Sequence, residues 1–277
     1  MSPKSRDLPI GVFDSGVGGL TVLKALRDRL PHESLVYLGD TARLPYGTKS
    51  AQAVSQYALQ ATRALVEIGI KALVVADNTS SAHALEVLRA EFPGLPVIGV
   101  VEPGAAAAAH ASAAGRIVVI ATESTVQAGT YPRAILHSRP GAQVTSLACP
   151  LFVSMVEEGM VDGPIAEQIA HHYLAGAFLG DTAQRGDCLL LGATHFPALA
   201  PMFSRLLGPE VAIVDSATTT ASAVADVLTH RRLAARTDAV AGLRMLATDA
   251  PERFARVARV FVPWEITAAD IGLVDIG

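Results

Sequence analysis

The chain has 277 residues, a formal net charge of −4 and 51% hydrophobic side chains. At about 150 residues per domain this length predicts two domains, and so large an apolar content excludes a disordered protein. The negative charge argues against nucleic acid as a partner, because phosphate binding needs clustered Lys and Arg.

The first part of the chain alternates short apolar runs with longer segments of helical periodicity. The predicted strands are Leu8–Phe13, Ser34–Leu38, Ala72–Ala76 and Pro96–Val100. The predicted helices between and after them are Gly19–Leu30, Ser50–Ile68, Ser80–Glu91 and Glu102–Ala114.

The same alternation then starts again. The predicted strands are Arg116–Ala121, Gln143–Ala148, Asp187–Leu191 and Val211–Val214, and the helices are Ser124–Ser138, Leu151–Glu158, Pro164–Leu179, Ala198–Leu207 and Ser216–Leu228. The tail adds a strand at Gly242–Thr248, a helix around Pro251–Ala258 and a strand near Val260–Val262. Strands that alternate with helices predict βαβ units, so we expect an α/β protein with mostly parallel sheets.

Two blocks of such units predict two domains that meet near residue 100. The unit after residue 214 begins with VDS, much as the first unit contains FDS, which assigns the tail to the first block. We therefore expect a first α/β domain of residues 1–100 plus 214–277 and a second of residues 101–213.

Neither a membrane nor an oxidising compartment is expected. The richest apolar stretches, such as Ile117–Ala121 and Cys188–Gly192, are far shorter than the ~20 residues that a membrane span needs. The first ten residues contain charges and no apolar segment, so no signal peptide is expected. The two cysteines, Cys149 and Cys188, cannot form a disulfide framework, which favours the cytoplasm and packing roles for both thiols.

Polar residues follow most of the predicted strands, at the positions where parallel sheets bind ligands. They are Asp14, Ser15, Asp40, Asp77, Asn78, Thr79, Thr122, Thr125, Thr194, His195 and Asp215. The glycine-rich turn after the first strand has the pattern GxGG and not GxGxxG, so no dinucleotide cofactor is expected. The spacing of Asp14, Asp77 and His195 matches no metal-ligand pattern, so no metal is expected.

Two of these strand ends share one layout. VVADNTSSA and LLLGATHFPAL each place polar side chains after an apolar run, so that Asp77 corresponds to Ala193 and Asn78 to Thr194. If the two blocks are pseudo-symmetric, the two ends face each other across a cleft that suits a small carboxylate ligand. Ordinary helix capping by Asn78 and Thr194 is the alternative explanation.

Five segments carry a more specific pattern. They are PIGVFDSGVGGLTVLKALRDRLPHESLVYLGDTARLPYGTKS, VVADNTSSA, ACPLFVSMVEEG, LLLGATHFPAL and VDSATTTA. In this order they resemble the glutamate racemases, cofactor-independent amino-acid racemases that make D-glutamate for peptidoglycan. The resemblance implies two pseudo-symmetric flavodoxin-like (Rossmann-like) domains, an active site in the cleft between them, and a cytoplasmic enzyme that forms a homodimer.

The resemblance also implies roles for individual residues. Asp14 corresponds to the aspartate that assists the first catalytic group, and His195 and Glu157 correspond to the groups that assist the second. The segments that contact the ligand contain Ser15, Pro45, Tyr46, Gly47, Asn78, Thr79, Thr122, Thr125 and Thr194. The expected small-molecule substrate is glutamate.

The two catalytic groups themselves depart from the family pattern. In these racemases one cysteine thiolate removes the Cα proton, and a second thiol supplies a proton to the opposite face. The corresponding catalytic positions here are Asp77 and Ala193, and the two cysteines of the chain lie in other segments. A carboxylate with a pKa near 4 is a weak base for a Cα proton, and a methyl group has no proton to give. We therefore expect a weakly active or inactive racemase.

Two alternatives stay open at this point. The chain could be a non-catalytic glutamate-binding or regulatory homologue that keeps the pocket. It could instead be an isomerase or decarboxylase in which Asp77 and His195 act as an acid–base pair.

Overall fold

Two fully parallel sheets contain the strands of the computed structural model, which describes residues 5–178 and 184–277. In chain order the strands are β1 (Ile10–Asp14), β2 (Leu35–Gly39), β3 (Ala72–Val75), β4 (Val97–Gly99), β5 (Arg116–Ala121), β6 (Gln143–Ala148), β7 (Cys188–Gly192), β8 (Ala212–Asp215), β9 (Leu243–Ala247) and β10 (Ile271–Leu273). The six-stranded sheet has the order β10-β9-β2-β1-β3-β4, and the four-stranded sheet has the order β6-β5-β7-β8. The predicted α/β class with parallel sheets is confirmed.

One topology is repeated in the two sheets. The order β2-β1-β3-β4 corresponds strand for strand to β6-β5-β7-β8, and it is the order of flavodoxin-like folds. Ligands bind such sheets outside the carboxyl ends of the strands, where the strand order reverses. The residues that follow β1 and β3 are therefore equivalent to those that follow β5 and β7.

Helices pack on both faces of each sheet. They are α1 (Leu20–Arg29), α2 (Ala51–Ile68), α3 (Asn78–His83), α4 (Leu85–Glu91), α5 (Val101–Ala111), α6 (Glu123–Ala128), α7 (Thr130–Ser138), α8 (Pro150–Glu157), α9 (Pro164–Phe178), α10 (Ala200–Leu207), α11 (Ser216–His230) and α12 (Pro251–Ala258). Alternate residues of β7 point to opposite faces, so Leu190 packs with α5 and α7 while Leu189 and Leu191 pack in the cluster that contains residues of α8 and α10.

The long helix α2 illustrates how the sequence sets these elements. Ser50 caps its first turn by accepting a hydrogen bond from the Ala53 N–H. Its buried face contains Val54, Ala58 and Leu65, which recur at helical spacing and cover one face of the six-stranded sheet. The helix ends at Gly69, whose φ of +93° suits only glycine well.

The hydrophobic core is continuous between the two halves of the molecule. Its largest cluster contains Val12 and Tyr37 of the six-stranded sheet together with Leu189 and Leu191 of the four-stranded sheet. Helix α11 packs against both α1 and α5. No helix in the described part of the chain is long and apolar enough to span a bilayer.

Several predicted elements need correction. The helix predicted from Ser80 to Glu91 is two helices, α3 and α4, and the helix predicted from Ser124 to Ser138 is divided by Gly129, which adopts a left-handed conformation. The helix predicted at Ala198–Leu207 begins as a 3₁₀ turn, Phe196–Leu199, before α10. The predicted end of α9, Leu179, lies outside the described residues.

The strand predicted near Val260–Val262 is wrong. Val260 and Phe261 lie in a turn after α12, and the side chains of Phe261 and Val262 are buried, with Val260 half-buried, by packing rather than by strand pairing. The last strand of the sheet is instead β10, which pairs with β9. It was missed because only three residues form it and two of them are exposed.

Candidate active site

A cavity of about 190 Å³ lies between the two sheets, at the carboxyl ends of their central strands. The residues after β1 and β3 and the loop 44–48 form one wall. The residues after β5 and β7, together with α8, form the other. The cavity therefore occupies the position that the repeated topology favours for a ligand.

Twelve of the fourteen residues to which the resemblance gave a role line this cavity. They are Ser15, Pro45, Tyr46, Gly47, Asp77, Asn78, Thr79, Thr122, Glu157, Ala193, Thr194 and His195. The other two lie behind the lining: Asp14 is fully buried below the turn 15–19, and Thr125 hydrogen-bonds to Thr79 and Thr122. The structure brings these residues together, and their roles toward a ligand stay predictions.

Asp77 caps α3 and also lines the cavity. Its Oδ2 accepts a 2.6 Å hydrogen bond from the Ser80 N–H, and its Oδ1 accepts a 3.0 Å hydrogen bond from the Ser15 hydroxyl. Burial raises the pKa of Asp77, although these hydrogen bonds and the charge of His195 oppose the rise. The idea that Asn78 caps this helix is wrong, because Asp77 occupies the cap.

Asp14 lies beneath the same wall at the end of β1. Its Oδ2 accepts a 2.9 Å hydrogen bond from the Gly16 N–H, and Tyr37 donates a 3.0 Å hydrogen bond to the Gly16 carbonyl, which fixes the turn above it. Burial, and then the neighbouring Asp77 carboxylate, raise the pKa of Asp14 to about 6. This wall therefore holds two buried carboxyl groups, and each makes ionisation of the other less favourable.

The opposite wall is formed by the turn after β7. Ala193 presents only a methyl group, while His195 Nδ1 lies 3.3 Å from Thr194 Oγ1 and its Nε2 lies 3.1 Å from Glu157 Oε1. Arg253 of α12 donates a 2.7 Å hydrogen bond to Glu157 Oε2. Burial acts to raise the pKa of Glu157, but His195 and Arg253 hold that pKa below its usual range. Glu157 is therefore a carboxylate, and its hydrogen bond with Nε2 orients the His195 ring.

The glycine-rich turn after β1 packs directly against this second wall. A Cβ atom on Gly18 would lie 2.4 Å from Thr194 Oγ1 and 2.6 Å from His195 Nδ1, so a side chain does not fit there. Thr21 also donates a 3.1 Å hydrogen bond to the Thr194 carbonyl. Thr194 makes no helix cap, since the following 3₁₀ turn starts after His195 without a side-chain cap. The GxGG turn therefore lets the two halves approach closely.

Three threonine hydroxyls join the two halves at another edge of the cavity. The oxygen of Thr79 lies 3.1 Å from those of Thr122 and Thr125, which are themselves 2.9 Å apart. Gly47 packs on the same cluster, because a Cβ there would lie 2.7 Å from the Thr122 Cβ. Hydroxyl groups can rotate to donate a proton to an anionic ligand, so this edge suits a carboxylate.

All five residues of the loop 44–48 line the cavity. The Tyr46 side chain is buried, and its hydroxyl donates to Asp40. Asp40 also accepts a 2.7 Å hydrogen bond from Arg43 Nε and one of 2.9 Å from the Thr248 hydroxyl. The Tyr46 hydroxyl is therefore committed to anchoring the loop, and it is not free for a ligand.

Neither thiol of the chain lines the cavity. Cys149 and Cys188 are both fully buried in hydrophobic clusters. Burial raises the pKa of each thiol to about 12, with a smaller contribution from Asp187 at Cys188. Both cysteines thus have the packing environment that the sequence predicted.

Sequence reasoning missed some residues of the site. The additional lining residues include Gly16, Val17, Leu44, Thr48, Glu123 and Val153. Most of these residues lie inside the segments that carried the resemblance. The resemblance could therefore have identified them. Arg253 lies outside those segments, and a lone arginine on an amphipathic helix normally faces solvent. Tyr37 lies inside the first segment, but a tyrosine in an apolar run normally packs in the core, so nothing local indicated its hydrogen bond to the turn.

Comparison with known proteins agrees with this architecture. The sequence model of the Asp/Glu/Hydantoin racemase family matches residues 20–224. The glutamate racemase of Chlorobaculum tepidum is 41% identical over 267 residues, which cover 96% of this chain and 97% of that protein. A glutamate racemase isoform of Bacillus anthracis superposes with a TM-score of 0.90 at 35% identity, over 98% of each chain. The Francisella tularensis glutamate racemase, solved with D-glutamate, gives 0.89 at 34% identity, over 98% of each chain.

This chain therefore belongs to the Asp/Glu/hydantoin racemase family. The relatives that match it over nearly its full length are glutamate racemases, which supports an isomerase that acts on an amino acid. The family resemblance seen in the sequence and the two flavodoxin-like halves that it implied are confirmed. Supplying D-glutamate for peptidoglycan is the known function of glutamate racemases.

Proposed function

We propose that the cavity binds glutamate and that this chain racemises it weakly or not at all. The proposal rests on the residues at the ends of β3 and β7. Asp77 and Ala193 line the cavity at equivalent positions of the two halves, where the resemblance places the two catalytic thiols. Both cysteines of the chain are buried elsewhere.

Binding is supported by the chemistry of the lining. The hydroxyls of Thr79, Thr122 and Thr194 can donate to a ligand carboxylate, and Asp77 and the Ser15 oxygen can accept from an ammonium group. The Francisella tularensis relative, which has the same fold, was solved with D-glutamate. The lost thiols are not needed for any of these contacts.

Inversion at Cα is poorly supported by the same groups. Racemisation needs a base on one face of Cα and an acid on the other. Asp77 is the only ionisable group at the two equivalent positions, and its hydrogen bonds from Ser80 and Ser15 stabilise the carboxylate and oppose the rise in pKa that burial causes. Ala193 cannot deliver a proton to the opposite face. His195 lies next to it, but its ring nitrogens contact Thr194 and Glu157.

The test combines calorimetric titration with L- and D-glutamate and circular dichroism of glutamate incubated with the protein. We expect heat of binding for both enantiomers and little change in ellipticity. Absence of binding between pH 5 and 8 would refute the glutamate site. Rapid racemisation would refute the loss of activity, and release of carbon dioxide would favour the decarboxylase alternative instead.

A matched pair of variants separates site effects from general ones. Thr79→Val removes a cavity hydroxyl without changing the shape of the side chain, and we expect weaker glutamate binding. Thr229→Val removes a hydroxyl at the exposed end of α11 that donates to the Ala225 carbonyl of the same helix, outside the cavity. Equal affinities of the two variants would contradict the proposed site.

Three further features are proposed with this function. We propose a division into domains of residues 1–100 plus 214–277 and 101–213, which the membership of the strands in the two sheets supports. The two free thiols support a cytoplasmic location. A homodimer follows from the resemblance, and light scattering on the purified chain tests it.

A further inference from the structure

The side chain of Asn78 begins a chain of hydrogen bonds through two hydroxyl groups, those of Tyr131 and Ser216, which do not line the cavity. Its Nδ2 lies 2.6 Å from the Tyr131 hydroxyl, which lies 3.1 Å from the Ser216 hydroxyl. The Ser216 hydroxyl in turn lies 3.2 Å from the carbonyl oxygen of Leu191 in β7. The side chains of Asn78, Tyr131 and Ser216 are all buried. The chain of contacts therefore runs from the cavity to the backbone of the other half.

Only one arrangement of protons allows all three hydrogen bonds at once. The Leu191 carbonyl can only accept, so Ser216 donates to it. The Ser216 oxygen then accepts from Tyr131, and the Tyr131 oxygen accepts from the Asn78 amide. Burial raises the pKa of Tyr131 to about 12, so its hydroxyl keeps the proton that it donates.

We propose that Tyr131 is a positioning residue that keeps the carbonyl oxygen of Asn78 available to the cavity, where it accepts from the ammonium group of an α-amino acid. The inference rests on the proposed function, because it assumes that the cavity binds glutamate. Within the described residues, Asn78 Oδ1 has no hydrogen-bond partner of its own, although Asn78 lines the cavity.

The surroundings of Asn78 favour a cation at this wall. Asp77 precedes it and faces the same cavity, and the Ser15 oxygen retains acceptor capacity while its proton goes to Asp77. The donor hydroxyls of Thr79 and Thr122 lie at another edge. The cavity thus has a polarity that would place the ammonium of a ligand at Asp77 and Asn78, and a carboxylate at the threonines.

The position of Tyr131 is fixed independently of its hydroxyl. A Cβ atom on Gly192 would lie 3.0 Å from Tyr131 Cε2, so the ring rests against the end of β7 next to Ala193. Tyr131→Phe removes the hydroxyl and keeps this packing. Ser216→Ala interrupts the same relay one step further from the cavity.

The experiment compares L-glutamate with glutarate, which has both carboxylates and lacks the ammonium group. Calorimetric titrations give the ratio of the two dissociation constants for the unaltered chain, Asn78→Ala, Tyr131→Phe and Ser216→Ala. We expect the preference for glutamate to fall about tenfold in Asn78→Ala and by a smaller factor in Tyr131→Phe and Ser216→Ala, in line with a hydrogen bond to a charged group. Tyr173→Phe is the matched control and should leave the ratio unchanged, because among residues 5–178 and 184–277 the Tyr173 hydroxyl is hydrogen-bonded only to the exposed Leu151 N–H.

The outcomes separate this inference from the proposed function. If the unaltered chain binds neither ligand, the glutamate site itself is wrong and the inference falls with it. If glutamate binds and the variants weaken both ligands equally, Asn78 does not read the ammonium group and the inference alone is overturned. A lower glutamate preference in either relay variant, at an unchanged melting temperature, supports it.

Discussion

Substitution of Asp14 by Asn should remove much of the pH dependence of stability that the site imposes. Burial first, and then the charge of Asp77, raise the pKa of Asp14 to about 6 in the folded protein. In an unfolded chain an Asp carboxyl has a pKa near 4. The folded state thus holds this proton more tightly than the unfolded state. The stability contributed by Asp14 is complete below about pH 4 and is lost as the pH rises through about 6.

The size of the effect follows from the same values. Two pKa units correspond to about 3 kcal/mol of unfolding free energy, because each is worth about 1.4 kcal/mol. Part of this is already lost at pH 4.5, so roughly 2 kcal/mol should be lost between pH 4.5 and 8. For a chain of this size that is about 4–8 °C in melting temperature. Asp14→Asn should show a curve of stability against pH that is flatter by this amount.

Urea unfolding at several pH values between 4.5 and 8 measures this difference in the pH dependence of stability. Asp77→Asn should also flatten the curve, because it removes the second cause of the raised pKa. Asp187→Asn is a control that should leave the slope of stability against pH unchanged between pH 4.5 and 8. Against the effect of burial, its hydrogen bonds from Ala114, Ser112 and Arg116 hold the pKa of Asp187 below its usual range. Asp187 therefore contributes stability above pH 4 that is lost on acidification. Parallel curves for Asp14→Asn and the unaltered chain would refute the reasoning.

Three further predictions concern chemistry and stability. The double substitution Asp77→Cys with Ala193→Cys should create or greatly raise glutamate racemisation, measured by circular dichroism, while each single substitution recovers much less, since two faces of Cα need a thiol. A folded double variant without a gain would mean that other parts of the site have also changed. In heavy water, NMR should show that the unaltered chain exchanges the Cα proton of neither L- nor D-glutamate appreciably. Exchange of one enantiomer that is abolished by Asp77→Asn would instead show that Asp77 acts as a single base. Lys71 and Glu33 form a buried ion pair. Lys71→Met should therefore lower the free energy of unfolding, measured in urea, by about 3–5 kcal/mol, because it leaves Glu33 as an unpaired buried charge. A decrease below about 1 kcal/mol would contradict this.

Much of the fold could be predicted because local signals and global packing agree. The apolar run that became β5 was predicted with its observed ends, Arg116–Ala121. A strand buried on both faces must be apolar throughout, and that requirement is visible in the sequence. Helix ends were less accurate, because the break at Gly129 depends on a single left-handed residue.

The composition of the candidate site was also visible, since polar residues at strand ends stand out against apolar runs. The hydrogen-bond partners of these residues were not visible in the sequence. Nothing local indicates that Asp77 rather than Asn78 caps α3, or that the Tyr46 hydroxyl turns away from the cavity to Asp40. These choices depend on which side chain reaches a buried partner, and only the packed structure supplies that partner.

The sequence by itself determined the α/β class, the repeated units, the family and the lack of thiols at the two strand ends. Only the tertiary structure decided the electrostatics of the site. Asp14 and Asp77 are separated by 62 intervening residues in the chain, yet burial raises both of their pKa values, and the charge of Asp77 raises that of Asp14 further. Likewise, Arg253 reaches Glu157 only because α12 packs beside α8 at the cleft. Interactions of this kind act through space over a few ångströms in a medium of low dielectric constant, and spacing along the chain carries no record of them.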